Sequence, residues 1–559
     1  MRYSLLFLCL WLGCTAEKTN RHQVVIGLGE DIAMINPLLS RTAYARQVEE
    51  LIYLPLFQFD PIDLELKPVL AAGAAKVETL EDDRVKYSFN IRPEAKWSDG
   101  VKITAADYAF TFKLIYNQAL RTHGYRAYLS FLDQIILEEG EEEKIVVTTN
   151  KAYHLAGTVL GNIEIFPKHI HDPKGLMDTL SIAELRKMSA PDSSLIHLAK
   201  DFEQYAIAGT NNLVGSGPYT VEDWVIKESI LLKRKNNYWG LQVKEPPVQL
   251  QAKTEYLKFN IIKDRLVAFQ EVKGAGIDIM NQVPLINMQS VLNQEIPHLN
   301  GMTSDQFTHY YIALNPENHG FENAELRKAV NYCFDIQGWI DHQMFGLAQP
   351  VTNPISPLKK YYDKSIPISH HSPEKAIAIF EKNGFDQLDE SGIRFRKKRR
   401  NIEKLSFELI YSSNNEAAGS LAIFFKEKAK VCGVEIIPKP QEFSSLRKAY
   451  SQGAYDMVFL ASSVPPADYD PQQMWHSKSW GKGNRVRFGD AKSDEVIDNI
   501  CSTLDPILRA EYYKQFQQAI YKEQPFLFLY SPKQRVVAQE ELKVTPSKLW
   551  PGFITQWLQ

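Results

Sequence analysis

At 559 residues the chain has room for roughly three to four domains of ~150 residues. Hydrophobic residues at 44% and charged residues at 23% are ordinary for a soluble protein and exclude a disordered chain, a collagen-like chain and a disulfide miniprotein. The 64 Lys and Arg against 67 Asp and Glu leave a net charge of −3, without the strongly basic balance of a nucleic-acid binder, so no nucleic-acid partner is expected.

In chain order, the first apolar stretch is SLLFLCLWL at residues 4–12, preceded by Arg2. Nine residues rise only ~14 Å as a helix, against a hydrocarbon core of ~30 Å. The stretch is too short to span a bilayer and has the make-up of a secretory signal peptide. Leu12-Gly13-Cys14 resembles a bacterial lipoprotein cleavage site, with residues 1–13 as signal peptide and Cys14 as the lipidated N-terminus. Trp11 departs from that pattern, which usually carries Leu there, and cleavage after Ala16 is the competing expectation. Both readings export the protein, to the periplasm or cell envelope; the lipoprotein reading adds a lipid anchor in a membrane.

Val24-Val25-Ile26 then reads as a short strand, and residues 85–92 alternate Tyr87, Phe89 and Ile91 on one face, the period of a strand. Thr104-Ala105-Ala106-Asp107 has the form of a capping box with Asp in place of Glu, ahead of the stripe Tyr108, Phe112 and Ile115. Further strands are expected at 144–149, 228–234, 310–314, 455–460 and 526–530. Ser372-Pro373 opens a helix with the stripe Ala376, Ile377 and Phe380, which Gly384 stops. The basic run RKKRR at 396–400 lies between two strand-like stretches and reads as a solvated hairpin tip. Outside the signal, Cys333, Cys432 and Cys501 each fall beside apolar neighbours and read as buried thiols, with no disulfide framework. The mixture of helices and strands predicts an α/β protein with more than one sheet.

Motifs of catalysis are missing from the sequence. No HExxH, CxxC, Walker A loop or GxSxG elbow occurs, and Gly27-Leu28-Gly29 lacks the third glycine of a dinucleotide turn because Ile32 stands there. His169-Ile170-His171 and His370-His371 read as solvated loop histidines rather than metal ligands. No enzyme activity, metal or cofactor is indicated.

Specific signal comes from seven segments in order: RPEAKWSDGVKITAAD at 92–107, GSGPY at 215–219, RKNNYWG at 234–240, GAGIDI at 274–279, FENAELRKAVNYCFD at 321–335, ADYDP at 467–471 and RAEYYKQFQQAIYKEQPFLFLY at 509–530. In this order and spacing, over residues 23 to 545, they resemble the family 5 extracellular solute-binding proteins of bacterial ABC importers, the oligopeptide-, dipeptide- and nickel-binding group. The resemblance implies a two-lobed periplasmic-binding-protein fold (type II, cluster C), closing on ligand like a trap. It further implies a first lobe of residues 23–57, 150–264 and 521–559, an extra subdomain at 58–149, and a second lobe at 265–520. The partners implied are a peptide ligand and an ABC permease in the inner membrane, with the protein itself a monomer. Other family ligands, a nickel chelate, haem or an oligosaccharide, are the alternative, and an exported hydrolase is the reading of a different class. For nickel, His309 and His476 are the candidate ligands.

A zwitterionic peptide buried between lobes needs its terminal charges matched, because an unpaired buried ion costs several kcal/mol. In peptide-binding members of the family an aspartate in an ADY-type segment pairs with the ligand α-amine, which points to Asp468, with Tyr469 beside it. The competing reading makes Asp468 a turn cap, and Asp470, held extended before Pro471, is read as structural. The stretch GEDIAMINP at 29–37 resembles the family's first strand and following loop, placing Asp31, Ile32 and Met34 among the expected ligand-lining residues.

Overall fold

The computed structural model describes residues 22–207, 209–399 and 401–559. The signal segment and Cys14 lie outside the described residues. Among the described residues no helix is long and apolar enough to cross a membrane.

Two sheets organise the chain. The first has seven strands in the order Leu299–Ser304, Gln534–Gln539, Ile279–Asn281, Gln23–Leu28, Tyr256–Ile261, Ser229–Arg234, Tyr219–Val225. Gln23–Leu28 is its parallel centre, pairing with Tyr256–Ile261 on one side and Ile279–Asn281 on the other. The second sheet has six strands in the order Ala348–Pro350, Phe526–Pro532, Thr308–Leu314, Met457–Ser463, Ser406–Ser412, Glu435–Gln441. A smaller antiparallel sheet, Lys76–Thr79, Val85–Asn90, Lys144–Thr149 and Leu132–Leu137, carries the helix Ala105–Tyr116.

Alternation explains the second sheet. Phe526–Pro532 is buried along its whole length between two neighbours. Leu527 and Leu529 face one apolar cluster with Ile312, Leu314 and Leu409, whereas Phe526 and Phe528 face another with Tyr311, Ala313 and Val458. A strand buried on both faces reads as a continuous apolar run, as this one does. In the first lobe one apolar cluster runs from the central strand (Val24, Ile26) into the smaller sheet (Tyr87, Phe89) and its helix (Phe112), so the subdomain shares a core with the lobe it joins.

The expected lobe boundaries need correction at two places. Residues 279–304, expected in the second lobe, supply two strands of the first sheet, and the helix Arg265–Lys273 packs on that sheet as well. Conversely, Phe526–Pro532, expected in the first lobe, is central to the second sheet. The physical reason is that the chain extends the first sheet on the far side of its parallel centre before it leaves. It then crosses from Leu299–Ser304 to Thr308–Leu314 through residues 305–307, and returns from Phe526–Pro532 to Gln534–Gln539 through Lys533 alone.

Local expectations are met in detail. Asp107 accepts the Thr104 N–H at 2.8 Å, closing the capping box. The helix Pro373–Lys382 has Pro at its first turn, buries Ala376 and Phe380, and is followed by Gly384 at φ +86°. Arg394–Lys398 and Asn401–Lys404 pair as the basic hairpin. Cys333, Cys432 and Cys501 are buried free thiols.

GSGPY shows why a backbone motif can be specific. A Cβ at Gly215 or Gly217 would overlap the carbonyls of Ile52 and Leu51. The intervening Ser216 accepts the Leu54 N–H at 2.9 Å, and its carbonyl accepts the Trp239 indole N–H at 2.9 Å. Only glycine permits this close approach, and it fixes the segment 51–54 that follows the helix Ala43–Glu49.

Candidate functional site

A cavity of about 590 Å³ lies where the two sheets meet at the crossovers. Its first-lobe wall is the helix Ala43–Glu49 with its approaches, the strand Phe57–Phe59 and the loop 547–556. The second lobe contributes Ser463 to Pro466, which directly follow Phe459 to Ser462 at the end of Met457–Ser463. Gln306, Phe307 and Thr308 from one crossover and Gln534 from beside the other complete it. The volume falls in the usual range for small-ligand sites, ~300–1,000 Å³.

The wall is held by polar contacts that leave other groups open. Gln534 Nε2 donates to the carbonyl of Lys548 at 3.0 Å, and the Ser547 hydroxyl donates to the Pro61 carbonyl at 3.0 Å. Lys359, 9% exposed, donates to the carbonyls of Pro465, Pro466 and Ala467 and lies 5.1 Å over the Phe307 ring. Burial lowers its ammonium to about 8, against the pull of Asp468 in the other direction. The Lys359 cation thus anchors the second-lobe wall from behind.

Three buried glutamines line the cavity with unused amide atoms. Gln47 has neither its carbonyl oxygen nor its amide nitrogen partnered, and the side-chain oxygens of Gln58 and Gln249 are also unpartnered. These residues are 5%, 8% and 3% exposed. The indole N–H of Trp550, also in the wall, has no acceptor. Buried polar atoms in native proteins nearly always have a partner, and this group all faces one chamber.

Charge in the chamber is lopsided. Arg46 is committed: Nη2 lies 2.6 Å from Glu164 and Nε 3.1 Å from Glu50, and Glu164 is the main reason its guanidinium is held further into the charged range. Glu50 is the acid of the lining. Arg41 and Lys548, both exposed, line the chamber without an ion pair among the described residues. Behind the wall, Glu49 is buried and accepts the Asn36 N–H at 2.8 Å and the Ser40 hydroxyl at 2.9 Å. Burial outweighs these bonds and pushes its carboxyl up to about 8.

The residues expected from the ADYDP and GEDIAMINP segments lie elsewhere. Asp468 does not line the chamber, and its Oδ2 receives Arg509 Nη2 at 2.8 Å and Nε at 3.1 Å. Arg509 engages Oδ2 alone, and the carboxylate is half-buried; its expected pairing with a ligand amine stays a proposal. Tyr469 packs in the second-lobe core, accepting the Trp475 indole N–H on its hydroxyl at 2.7 Å. Ile32 is buried in the first-lobe core, Met34 bridges to Ile207, and Asp31 is half-buried; none of the three lines the chamber. His309 and His476 are both buried, and His476 faces Asp494 and Asp498 away from the chamber. Among the described residues no group of three or more His, Cys, Asp or Glu is placed to hold a metal ion.

Asp470, expected to be structural, joins the lobes. The Tyr153 hydroxyl donates to Asp470 Oδ2 at 2.7 Å, and the His154 N–H donates to the Cys501 carbonyl at 2.8 Å. Lys360 pairs with Glu65 across the same divide. The lobes are therefore closed on one another outside the two crossovers. Desolvation holds the half-buried His154 ring below the usual histidine range, with Asp470 pulling the other way.

Comparisons with known proteins agree with this architecture. The oligopeptide-binding protein AppA of Bacillus subtilis is 22% identical over 93% of this chain and 88% of its own length. The structure of that protein in complex with a nonapeptide superposes with a TM-score of 0.69 at 22% identity, over 96% of this chain and 99% of the other. NikA from Brucella suis in complex with Fe(III)-EDTA gives 0.76 at 19% identity, over 96% and 99%. A family profile described as bacterial extracellular solute-binding proteins, family 5 Middle, matches residues 65–484. On this match, and with two sheets joined by two short crossovers around a chamber, the chain belongs to the family 5 bacterial extracellular solute-binding proteins.

Proposed function

We propose that this protein is the receptor component of a bacterial ABC importer, and that it captures peptides in the chamber between its lobes and delivers them to a membrane permease. The observation that carries the reading is the set of unpartnered amide atoms on Gln47 (both oxygen and nitrogen), Gln58 and Gln249 (the oxygen of each), all three residues lining one cavity. A peptide main chain presents both donors and acceptors at every residue, and such a surface can receive it whatever its side chains. The oligopeptide-binding relative supports the same reading. The alternative of a metal chelate draws support from NikA and its Fe(III)-EDTA complex, but the chamber supplies amides rather than imidazoles or thiolates. The protein acts as a monomer that binds its guest without cleaving it, held at the envelope by a lipid on Cys14.

Mass spectrometry of small molecules released from the purified protein tests this directly. Intact short peptides, rebinding with a stoichiometry of one by calorimetry and recovered uncleaved, are the expected result. Recovery of a metal chelate or haem alone, with no heat from peptide mixtures, overturns the peptide reading; appearance of cleaved fragments overturns the non-enzymatic one.

A further inference from the structure

Number and spacing of the cysteines point to no disulfide framework, but the fold brings two of them together. Cys333 follows the helix Ala324–Tyr332, and Cys432 lies just beyond the helix Glu416–Lys430. Neighbouring contacts set these two stretches against each other: the Phe334 and Phe425 rings stack at 4.3 Å, and Lys428 Nζ reaches Asp335 Oδ2 at 2.8 Å. In that register the Cys333 and Cys432 thiols hydrogen-bond one another. Both are fully buried, in the apolar cluster that holds Ala329, Phe425 and Ala429. The Arg394 guanidinium stands near both sulfurs, and its Nε donates to the Cys432 carbonyl at 3.1 Å. A cation beside a thiol favours the thiolate, which is the attacking form. Cys501 lies apart, its Sγ 3.7 Å from Asp470 Oδ1 at the contact between the lobes.

We infer that Cys333 and Cys432 are joined as a disulfide in the mature exported protein, stapling two helices of the second lobe to one another. The inference rests on export, since such pairs form and persist in oxidising surroundings outside the cytosol, and not on what the chamber binds. The oxidant is an external disulfide, that of an envelope oxidoreductase or of glutathione. One cysteine thiolate, its proton released to solvent, attacks a sulfur of that disulfide and expels the other sulfur as a thiolate. The second cysteine thiolate then attacks the protein sulfur of the mixed disulfide and expels the remaining external thiolate. Two protein thiols lose two electrons, the external disulfide gains them, and two protons end on the two external thiols. Because both sulfurs are out of reach of solvent in the folded lobe, the exchange belongs to the folding chain, and the finished bridge is shielded from reductants. The loop it closes, residues 333–432, takes in the strand Ser406–Ser412 of the second sheet. A cross-link over so long a loop removes more freedom from the unfolded chain than a short one does.

The test traps thiols at lysis: mature protein is taken from the cell envelope, denatured with iodoacetamide and no reductant, and digested for mass spectrometry. Cys501 is expected to carry the label, while Cys333 and Cys432 appear in one linked peptide pair that dithiothreitol separates. Label on both Cys333 and Cys432, a separate adduct on each, or a bridge to Cys501 overturns the inference. Melting reads what the staple does. Wild type reduced in denaturant and refolded with dithiothreitol is expected to melt ~5 °C or more below the oxidised protein, and Cys432→Ala, which cannot bridge, to melt alike with and without reductant. Equal melting of the two wild-type forms overturns the stabilising role of the bridge. Neither result bears on peptide capture, which calorimetry on the oxidised protein reads separately.

Discussion

Glu49 gives the sharpest test of how the chamber wall is built. Its carboxyl is pushed from 4.5 to about 8, chiefly by burial, with Glu164 adding to the rise and Ser40, Arg46 and Asn36 opposing it. The folded protein therefore keeps a proton that the unfolded chain has released anywhere between these two values. Each pH unit in that window removes about 1.4 kcal/mol of stability. The neutral-acid contribution is complete below pH 4.5, has fallen by about 3 kcal/mol at pH 7, and is gone, some 5 kcal/mol in all, once pH passes 8. Glu49→Gln mimics the uncharged acid: its carbonyl still accepts the Asn36 N–H, and the Ser40 hydroxyl, which donates to Glu49 Oε2, can turn to accept from the new amide. Urea unfolding of the two proteins at pH 5, 6, 7 and 8 is expected to show the variant gaining on the wild type by about 1.4 kcal/mol per unit. Curves that run parallel across the range would show that Glu49 is ionised in the folded state, and the account of a dry wall behind Ser40 and Gln47 would be wrong.

Three further outcomes are expected. Asp468→Asn keeps an oxygen for Arg509 but removes the charge that matches this guanidinium, 8% exposed and otherwise donating to the carbonyls of Thr503 and Leu504, and should cost ~1–3 kcal/mol in denaturation while changing peptide affinity by less than about twofold. A large affinity loss at unchanged stability would return Asp468 to the ligand. Tyr153→Phe removes the hydroxyl donated to Asp470 but keeps the ring, so the closed arrangement should weaken and peptide release accelerate by about 3- to 10-fold in stopped-flow traces; identical release rates would show that this contact does not hold the lobes. Gly217→Ala drives a methyl into the Leu51 carbonyl and should destabilise the protein by ~3 kcal/mol or more, measured by urea midpoint, and a neutral effect would mean the 51–54 segment yields freely.

Sequence reading served the scaffold well because scaffold signals are local. Alternation in residues 85–92, the cap at Thr104, Pro373 with Gly384, and the glycines of GSGPY each depend on neighbours within a few positions. The lobe boundaries failed where strand identity depends on distant pairing: nothing inside Phe526–Pro532 tells which sheet will bury an apolar strand on both faces, and Ile279–Asn281 is only three residues long. The chamber was illegible for a related reason. Its glutamines come from positions 47, 58 and 249, its cations from 41 and 548, and each is unremarkable alone. Asp468 and Tyr469 stood out by motif; neither lines the chamber, and Asp468 meets Arg509 within its own lobe. The usable hint was Ser463-Val464-Pro465-Pro466, an extended, donor-poor run at a strand end, which does reach the wall.

The route taken by the chain between its halves bears on how a guest is sensed. Only residues 305–307 and Lys533 pass from one sheet to the other, so any swing of the halves must be absorbed by a handful of backbone torsions there. Gln306, Phe307 and Gln534, in or flanking those pivots, also form the floor of the chamber. Whatever occupies that floor bears on the axle itself, and the posture of the whole receptor becomes readable from the outside as a single angle.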